Sequence, residues 1–417
     1  MSITRYSFQK GIVYVVVLII PIAHSVFAQS VHETGWKEDL KIYKESLEQK
    51  HIDLYHSVTK EAFYNDWNTI YNSADTLNDF EIILKLMRLT RRINDGHTAI
   101  SLRNIATHRF PFEIEWIEGQ WHVIKTLPEN KQLLKTSLAS INGIPMDTIV
   151  QKVSAIAQFV ENEYSLKQST GSSIPIAELL VHLDLIDSKT KATFGFRNEA
   201  NALINLDLEA MAHEIWENSE VYNINLTVPG IERPKIADAG FWFTPISGRK
   251  ALYIHFTDYP SFEKMQVFGE ELVALIQEND LKQVIIDMRE NGGGDLYVGT
   301  VLAYALNLAD SIDWKHGVFV LTSNKTFSAA TSNAALFKQL LNAKTVGQPT
   351  GSNPNGYQDM DSFILPNSNL VITYSKRLFR LSSLAKIALQ PDFLLHQKRD
   401  DLYLGTDTVL KELIQNW

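Results

Sequence analysis

The segment LTSNKTFSAA, residues 321–330, places a serine, Ser328, between a turn and an apolar helical stretch. Serine is common as a helix N-cap, where its side-chain oxygen accepts a backbone hydrogen bond, and this structural role is the simplest interpretation. The same position would also suit a nucleophile, because the neighbouring N–H of Ala329 and the positive end of the helix dipole stabilise developing negative charge. Serine attacks a carbonyl efficiently only when a base accepts its proton, so a catalytic role for Ser328 requires a partner.

Three consecutive glycines, Gly292 to Gly294, follow the apolar segment QVIIDM at residues 283–288. Each glycine loses backbone entropy on folding and contributes no side chain, so packing does not explain the run. The glycines would let backbone N–H groups approach a ligand closely, as in an oxyanion hole or a phosphate cradle. A phosphate cradle is the weaker of the two, since neither a Walker pattern nor a dinucleotide-binding glycine pattern is present. A flexible strand-to-helix turn is the structural alternative.

A histidine, His97, follows an Asp-Gly dipeptide in INDGHTAI, residues 93–100. It is a candidate general base for Ser328, although a lone histidine is more often structural than catalytic. Metal sites are a poor alternative, because His213 lacks the second histidine of the H-E-x-x-H motif. The chain contains no cysteine, which excludes disulfides, thiolate zinc sites and cysteine nucleophiles. We therefore expect neither a metal nor a cofactor.

The elements that must position these residues are clearest in the C-terminal part, residues 246–417. Apolar strand segments alternate there with amphipathic helical segments. This alternation predicts an α/β domain with βαβ units and a mostly parallel sheet, whose ligands bind at the carboxyl ends of the strands. The glycine run and Ser328 each follow a predicted strand, so both are expected at the same edge of the sheet.

Three segments precede this α/β domain. Residues 1–28 combine a basic start, an apolar run of nine residues and a small-residue cleavage site, which is typical of a signal peptide. Residues 29–105 have apolar residues at helical spacing and predict an N-terminal helical region that ends in the DGHT motif. Residues 106–245 predict a mixed β/α region, with a hairpin signal at Glu118-Gly119 and a strand–turn–helix signal at Asn142-Gly143.

Composition and charge limit the partners. The chain of 417 residues has a net charge of −9, whereas nucleic acids and anionic membranes require a basic face, so neither partner is expected. After cleavage of the signal peptide no integral membrane segment is expected either. We predict an exported protein of the bacterial periplasm or exterior.

Several segments together resemble the tail-specific, or C-terminal-processing, serine peptidase family. They are INDGHTAI (93–100), VIIDMRENGGG (284–294) and LTSNKTFSAA (321–330), followed by TVGQPTG (345–351). The resemblance implies a catalytic α/β domain of crotonase-like architecture beside an N-terminal helical region, often with a PDZ-like module. Part of residues 106–245 resembles the second half of such a module, since Ile-Asn-Gly precedes a helix there.

The family has two branches that differ in the base. One uses a Ser/Lys pair, with the lysine in the loop after the TVG strand, but here that loop, residues 349–356, contains no lysine. The other branch, similar to tricorn core protease and interphotoreceptor retinoid-binding protein, takes its base from the histidine of the DGHT motif. The resemblance therefore implies Ser328 as the nucleophile and His97 as the general base.

The resemblance also implies the groups around this pair. The N–H groups of the oxyanion hole would be those of Gly293, Gly294 and Ala329. The second branch has a serine before its base, where this chain has Gly96, and it uses a distant glutamate as a relay carboxylate. No glutamate occurs at the corresponding C-terminal position, so Asp359 and Asp361 are the candidate relay carboxylates.

The predicted function is that of an exported serine endopeptidase that cleaves peptides or unfolded protein segments through an acyl-enzyme. Two alternatives stay open at this point. One is a binding protein for apolar ligands or peptides on the same scaffold, with little or no catalysis, because a fold does not guarantee an activity. The other is a hydrolase that acts on small acyl compounds.

Overall fold

The computed structural model describes residues 33–382 and 387–416. The predicted signal peptide, residues 1–28, lies outside these ranges. Within them, no helix is both long and apolar enough to cross a membrane.

The region before the DGHT motif is helical, as predicted. In the first helix Leu40, Tyr43 and Leu47 recur at helical spacing and are fully buried, so this face packs into the core. A capping box starts the third helix, where Asn78 Oδ1 accepts the N–H of Glu81 and the Glu81 carboxylate accepts the N–H of Asn78. The helices are α1 (Glu33–Lys50), α2 (Lys60–Ser73) and α3 (Asp79–Arg91).

The middle region is an antiparallel sheet with helices packed against it. Its elements are β1 (Ile100–Ser101), β2 (His108–Arg109), β3 (Phe112–Ile117), β4 (Gln120–Thr126), β5 (Ser137–Ile141), β6 (Ile144–Pro145), α4 (Met146–Ser154), α5 (Glu163–Ser173), α6 (Ala177–His182), β7 (Lys191–Arg197), β8 (Leu203–Glu209), β9 (Met211–Ala212), α7 (His213–Glu217) and β10 (Tyr222–Asn223). The sheet order is β10-β4-β5-β7-β8, with β3 against β4 and β6 against β5. The two predicted turns form, since Glu118-Gly119 and Asn142-Gly143 all have positive φ angles.

The C-terminal region contains the predicted α/β sheet. Its elements are β11 (Phe241–Pro245), β12 (Ala251–Phe256), α8 (Phe262–Glu278), β13 (Gln283–Asp287), α9 (Leu296–Leu306), β14 (Val318–Thr322), α10 (Ala329–Leu340), β15 (Lys344–Gly347), β16 (Asn355–Ile364), β17 (Val371–Arg380), β18 (Phe393–Leu394), α11 (Arg399–Tyr403) and α12 (Thr408–Asn416). The strand order is β11-β12-β13-β14-β15-β18, and all neighbours are parallel except β11 and β12. Helices α8 to α10 cover one face and α12 the other, so the centres of strands β13 and β14 are continuously apolar.

A long hairpin, β16–β17, joins the DGHT motif to the α/β region. Strand β1, directly after the motif, pairs with β17 through Ile100 opposite Ile372 and Ser101 opposite Val371. One buried core contains residues of α1 to α3, of the middle sheet and of β17. The hairpin thus brings the segment that carries His97 to the region that carries Ser328. The domain boundaries at residues 105 and 245 stay predictions.

Candidate active site

Ser328 lies between the loop after β14 and the first turn of α10. Its backbone has φ 52° and ψ −127°, a region that residues other than glycine rarely occupy. The residue stands at the N-cap position, but its side chain makes no capping hydrogen bond, so the simplest structural interpretation does not apply. A strained strand-to-helix turn of this kind is one way in which hydrolases expose a nucleophilic serine.

Hydrogen bonds from the following loop hold the strained turn in place. The N–H of Ser328 donates to Ser352 Oγ over 2.7 Å, and the Ser352 hydroxyl donates to Thr331 Oγ1 over 2.9 Å. Thr331 donates in turn to the backbone oxygen of Thr326 over 3.0 Å. The chain is therefore fixed on both sides of Ser328, which allows an unfavourable conformation to persist.

Ser328 opens onto a cavity of about 290 Å³. Its walls include Gly294, Ala329 and Asp359, three of the predicted site residues, but not His97. The other lining residues mix charged, amide and apolar or aromatic side chains: Asp295, Arg377, Gln358, Leu296, Tyr297 and Phe379. Two larger cavities, of about 430 and 580 Å³, have no wall at Ser328. A substrate that reaches Ser328 would occupy the 290 Å³ cavity.

The glycine run approaches the serine more closely than a larger residue could. Gly293 has a φ angle of 107°, and a Cβ atom on it would lie 2.7 Å from Ser328 Cβ. Its N–H donates to Asn291 Oδ1 over 2.9 Å, so this group is engaged and not free to bind an oxyanion as the sequence suggested. Among the residues that the structure describes, the N–H groups of Gly294 and Ala329 have no acceptor. These two groups are the remaining candidates for oxyanion donors.

Asn291, which the sequence did not single out, organises this loop. It is fully buried, and its side-chain N–H donates to the backbone oxygen of Phe256, the last residue of β12, over 2.9 Å. Its own backbone oxygen accepts the N–H of Phe327 over 3.1 Å. Through its bond to Gly293, Asn291 therefore links β12, the glycine run and the residue before Ser328.

His97 is buried, with 1 % of its surface exposed. Its ring lies against Phe327, the residue before Ser328, with 5.1 Å between the ring centroids. Among the described residues neither ring nitrogen meets hydrogen-bond geometry with a partner, although the backbone of Tyr357 lies close enough to raise the pKa of the ring. No hydrogen bond joins His97 to Ser328. The structure brings His97 to the nucleophile loop but does not place it on the hydroxyl.

Asp95 fixes the backbone of His97. Its Oδ1 accepts the N–H of His97 over 2.9 Å, and its Oδ2 accepts the Thr98 hydroxyl over 2.6 Å and lies 2.9 Å from His51 Nε2. Burial raises the pKa of this carboxyl, but the hydrogen bond from His51, the nearby His97 and Thr98 outweigh burial and hold the pKa below its ordinary value. Both oxygens of Asp95 are thus engaged in shaping the turn.

Glu161, a second residue that the sequence did not single out, faces the His97 ring. Its Oε2 lies 4.0 Å from His97 Nδ1, and this oxygen also has no hydrogen-bond partner among the described residues. Burial, followed by the charge of Asp95, raises the pKa of Glu161 well above its ordinary value. Burial lowers the pKa of His97, and the negative charge of Asp95 offsets only part of this effect. The interior therefore favours the neutral form of both side chains.

The two candidate relay aspartates lie on β16. Asp359 lines the cavity and pairs with Arg377 over 3.0 Å. Asp361 is exposed and accepts the hydroxyl of Tyr374 over 3.2 Å. Of the two, Asp359 contributes to the pKa of His97, after burial and Asp95, but neither carboxylate forms an ion pair or hydrogen bond with that ring.

Lys325, three residues before Ser328, is engaged elsewhere. Its ammonium group pairs with Glu115 over 3.1 Å and with Glu290 over 3.0 Å. It is therefore not positioned as the base of a Ser/Lys pair, which agrees with the lack of a lysine in the loop at residues 349–356.

Comparisons with known proteins place the fold. No protein-family model matches the sequence, and no curated protein matches it. Among solved structures, mature CPAF matches with a TM-score of 0.66 and 12% identity, over 92% of this chain and 97% of that chain. The chain has the fold of mature CPAF. Mature CPAF complexed with lactacystin matches with a TM-score of 0.63 and 11% identity, over 92% and 98% of the two chains.

The photosystem II D1 C-terminal processing protease also matches, with a TM-score of 0.41 and 13% identity, over 86% of this chain and 93% of that chain. The resemblance predicted from the motifs is confirmed at the level of the fold, through the CPAF structures. The mixed α/β architecture predicted from the sequence is confirmed with it.

Proposed function

We propose that this protein is a serine-type peptidase that cleaves peptides or unfolded protein segments through an acyl-enzyme. The observation that carries the proposal is the strained turn at Ser328, whose hydroxyl caps no helix and faces the cavity. The unpaired N–H groups of Gly294 and Ala329 lie in the walls of the same cavity. A nucleophile beside preorganised N–H donors is what acyl transfer requires.

In the proposed reaction, Ser328 Oγ attacks the scissile carbonyl carbon, and the carbonyl oxygen becomes negatively charged. The N–H groups of Gly294 and Ala329 would hydrogen-bond this oxyanion. His97 would take the proton of the Ser328 hydroxyl and then give it to the leaving amine. Water would hydrolyse the resulting ester by the same sequence of proton transfers, which restores the serine.

The role of His97 requires its ring to reach Ser328 when a substrate binds. Catalytic hydrogen bonds often form only in the complex with substrate, so their absence beforehand does not exclude a base. The ring already contacts Phe327, next to the nucleophile, and both of its nitrogens lack partners among the described residues. A rearrangement that brings the ring to the Ser328 hydroxyl would therefore complete the pair.

The fold supports a peptidase more than it supports the two alternatives. CPAF has been solved in complex with lactacystin and as a serine-to-alanine mutant. By analogy, we propose that lactacystin occupies the cavity at Ser328 in this protein as well. Export, a crotonase-like catalytic domain and a PDZ-like module within residues 106–245 belong to the same proposal.

The test is hydrolysis of a denatured protein by the purified wild type and by Ser328→Ala and His97→Ala. Each single change should lower kcat by more than about 10⁴-fold and leave the thermal unfolding transition in place. The matched controls are Ser172→Ala and His316→Ala. Ser172 is exposed on α5 and His316 is exposed in the loop before β14, so both variants should keep wild-type activity.

Each alternative has its own outcome in this experiment. Retained cleavage in Ser328→Ala would refute the proposal. Ester hydrolysis without any peptide cleavage would identify a small-acyl hydrolase. A wild type that neither cleaves peptides or esters nor reacts with a fluorophosphonate would be a binding protein.

A further inference from the structure

We propose that Glu161 is the carboxylate that orients His97 and balances its charge when the ring accepts the proton of Ser328. This inference rests on the proposed function, since it assigns a positioning residue to the same site. It differs from the expectation that Asp359 or Asp361 fills this place.

The contact between Glu161 and His97 is buried but incomplete. Glu161 Oε2 and His97 Nδ1 are 4.0 Å apart, with 6% and 1% of the two side chains exposed. Both atoms lack a hydrogen-bond partner among the described residues. Buried polar atoms are nearly always paired, so two unpaired atoms that face each other need an explanation. A movement of about 1 Å would bring them to hydrogen-bond length.

Two glycines from separate segments leave room for this carboxylate. A Cβ atom at Gly96 would lie 2.7 Å from Glu161 Cβ and 3.2 Å from its Oε2. A Cβ atom at Gly356 would lie 2.7 Å from Glu161 Oε1. Neither glycine has a positive φ angle, so backbone conformation does not require glycine at either position. Space for Glu161 is the physical reason for glycine at both positions, together with space for the Phe327 ring at Gly96, where a Cβ atom would lie 3.0 Å from that ring. This accounts for the departure at Gly96 from the serine that the resemblance implies.

The other carboxylates around His97 are engaged elsewhere. Asp95 uses its two oxygens for the backbone N–H of His97 and for the side chains of Thr98 and His51. Asp359 lies 3.0 Å from the guanidinium of Arg377. Asp359 Oδ2 also forms no hydrogen bond among the described residues, but its charge is paired with that guanidinium. Glu161 Oε2 has no hydrogen bond either and lies 4.0 Å from His97 Nδ1, so Glu161 is the carboxylate available to the ring.

Proton transfer from Ser328 creates a positive charge on a buried ring. Burial disfavours that charge and lowers the pKa of His97. An ionised Glu161 that accepts Nδ1–H would offset this cost, fix the tautomer and turn Nε2 towards Ser328 Oγ. The triad logic of serine hydrolases uses a carboxylate in this way.

The pH dependence follows from the groups that surround the pair. They are Asp95 and His51 on the side of the turn, with Asp359 and the backbone of Tyr357 on β16, both of which raise the pKa of His97. Burial and Asp95 raise the pKa of Glu161 well above its ordinary value, so this carboxylate is neutral in acid and cannot assist His97 there. The acid limb of kcat/KM in the wild type should therefore report Glu161. Without Glu161 it should report His97, whose pKa is lowered, and move to lower pH.

The test is Glu161→Gln, which keeps the shape of the side chain and removes its charge. We expect kcat to fall by about 10²–10⁴-fold with KM nearly unchanged, and the acid limb to move to lower pH. Glu161→Asp keeps the charge at a longer distance and should recover part of kcat. The matched control is Glu163→Gln, an exposed residue in the first turn of α5, which should leave both quantities unchanged.

The controls separate failure of this inference from failure of the proposed function. If Ser328→Ala or His97→Ala keeps activity, the proposed function fails, and the role of Glu161 fails with it. If both are inactive while Glu161→Gln keeps the wild-type kcat and acid limb, the assignment of Glu161 alone is overturned. Should Glu161→Gln not fold, Gly356→Ala, which presses a methyl group on Oε1, should lower kcat in the same way, and full activity there would overturn the assignment.

Discussion

Replacing Ser328 by glycine should stabilise the protein and remove the hydroxyl that we propose as its nucleophile. Ser328 has φ 52° and ψ −127°, and such a conformation costs a residue other than glycine about 1–3 kcal/mol. Glycine adopts these angles freely but loses more backbone entropy on folding, which costs about 0.5–1 kcal/mol. The Ser328 side chain makes no capping hydrogen bond that would be lost. The free energy of unfolding should therefore rise by roughly 1 kcal/mol.

Ser328→Ala is the matched control, because alanine removes the same hydroxyl but keeps Cβ and hence the backbone strain. Urea-induced unfolding, followed by tryptophan fluorescence, should give a higher midpoint for Ser328→Gly than for Ser328→Ala or the wild type, with unchanged slopes. If Ser328→Gly is no more stable than Ser328→Ala, the turn stores no strain. The interpretation of Ser328 as a residue held for catalysis would then lose its main support.

Three further predictions concern the surroundings of Ser328. Asn291→Ala leaves the Phe256 oxygen and the Gly293 N–H without partners, so urea titration should show a loss of about 2–3 kcal/mol, and an unchanged midpoint would contradict the role given to Asn291. In Gly294→Ala, a Cβ atom 2.5 Å from the Tyr259 ring should displace the Gly294 N–H from the cavity and lower kcat by about 10²–10³-fold, whereas unchanged kcat would remove this group from the oxyanion hole. Because the folded-state pKa of Glu161 is raised above 4.5, this carboxyl stabilises the protein fully below pH 4.5 and less as the pH rises towards the folded-state pKa. Glu161→Gln should therefore become more stable relative to the wild type as the pH rises above 4.5. Denaturation midpoints of both proteins, measured across pH, test this, and a difference between the midpoints that does not change with pH would contradict it.

The α/β sheet and its reactive edge were predictable from the sequence, because the relevant signals are local. Strands β13 and β14 have continuous apolar centres because both faces are buried, and each is followed by residues that packing does not explain. Their parallel register, with Asp287 opposite Leu321, brings the following loops together. The approach of the glycine run to Ser328 follows from this pairing and the short connections alone.

The surroundings of His97 were not predictable in the same way, because their contacts join distant segments. Pairing of β1 with β17 brings His97 to the loop that contains Ser328. Each strand contributes only two residues to this pairing, which is too few to give a periodic pattern in the sequence. Glu161 lies in the connection between α4 and α5, and only the folded chain shows that Gly96 and Gly356 make room for it. The Gly293 N–H donates to the side chain of Asn291, two residues earlier, and the motif gives no sign of this hydrogen bond.

The central claim, that Ser328 is the nucleophile, is tested most directly by locating a covalent adduct. The wild type, Ser328→Ala and His97→Ala are treated with a fluorophosphonate, digested with trypsin and analysed by tandem mass spectrometry. The tryptic peptide of residues 326–338 contains Ser328 and the buried Ser332, and fragmentation separates the two. We predict one adduct on Ser328 in the wild type, slower labelling in His97→Ala and none in Ser328→Ala. An unmodified Ser328 in the folded wild type, or equal labelling of Ser328→Ala, would contradict the account.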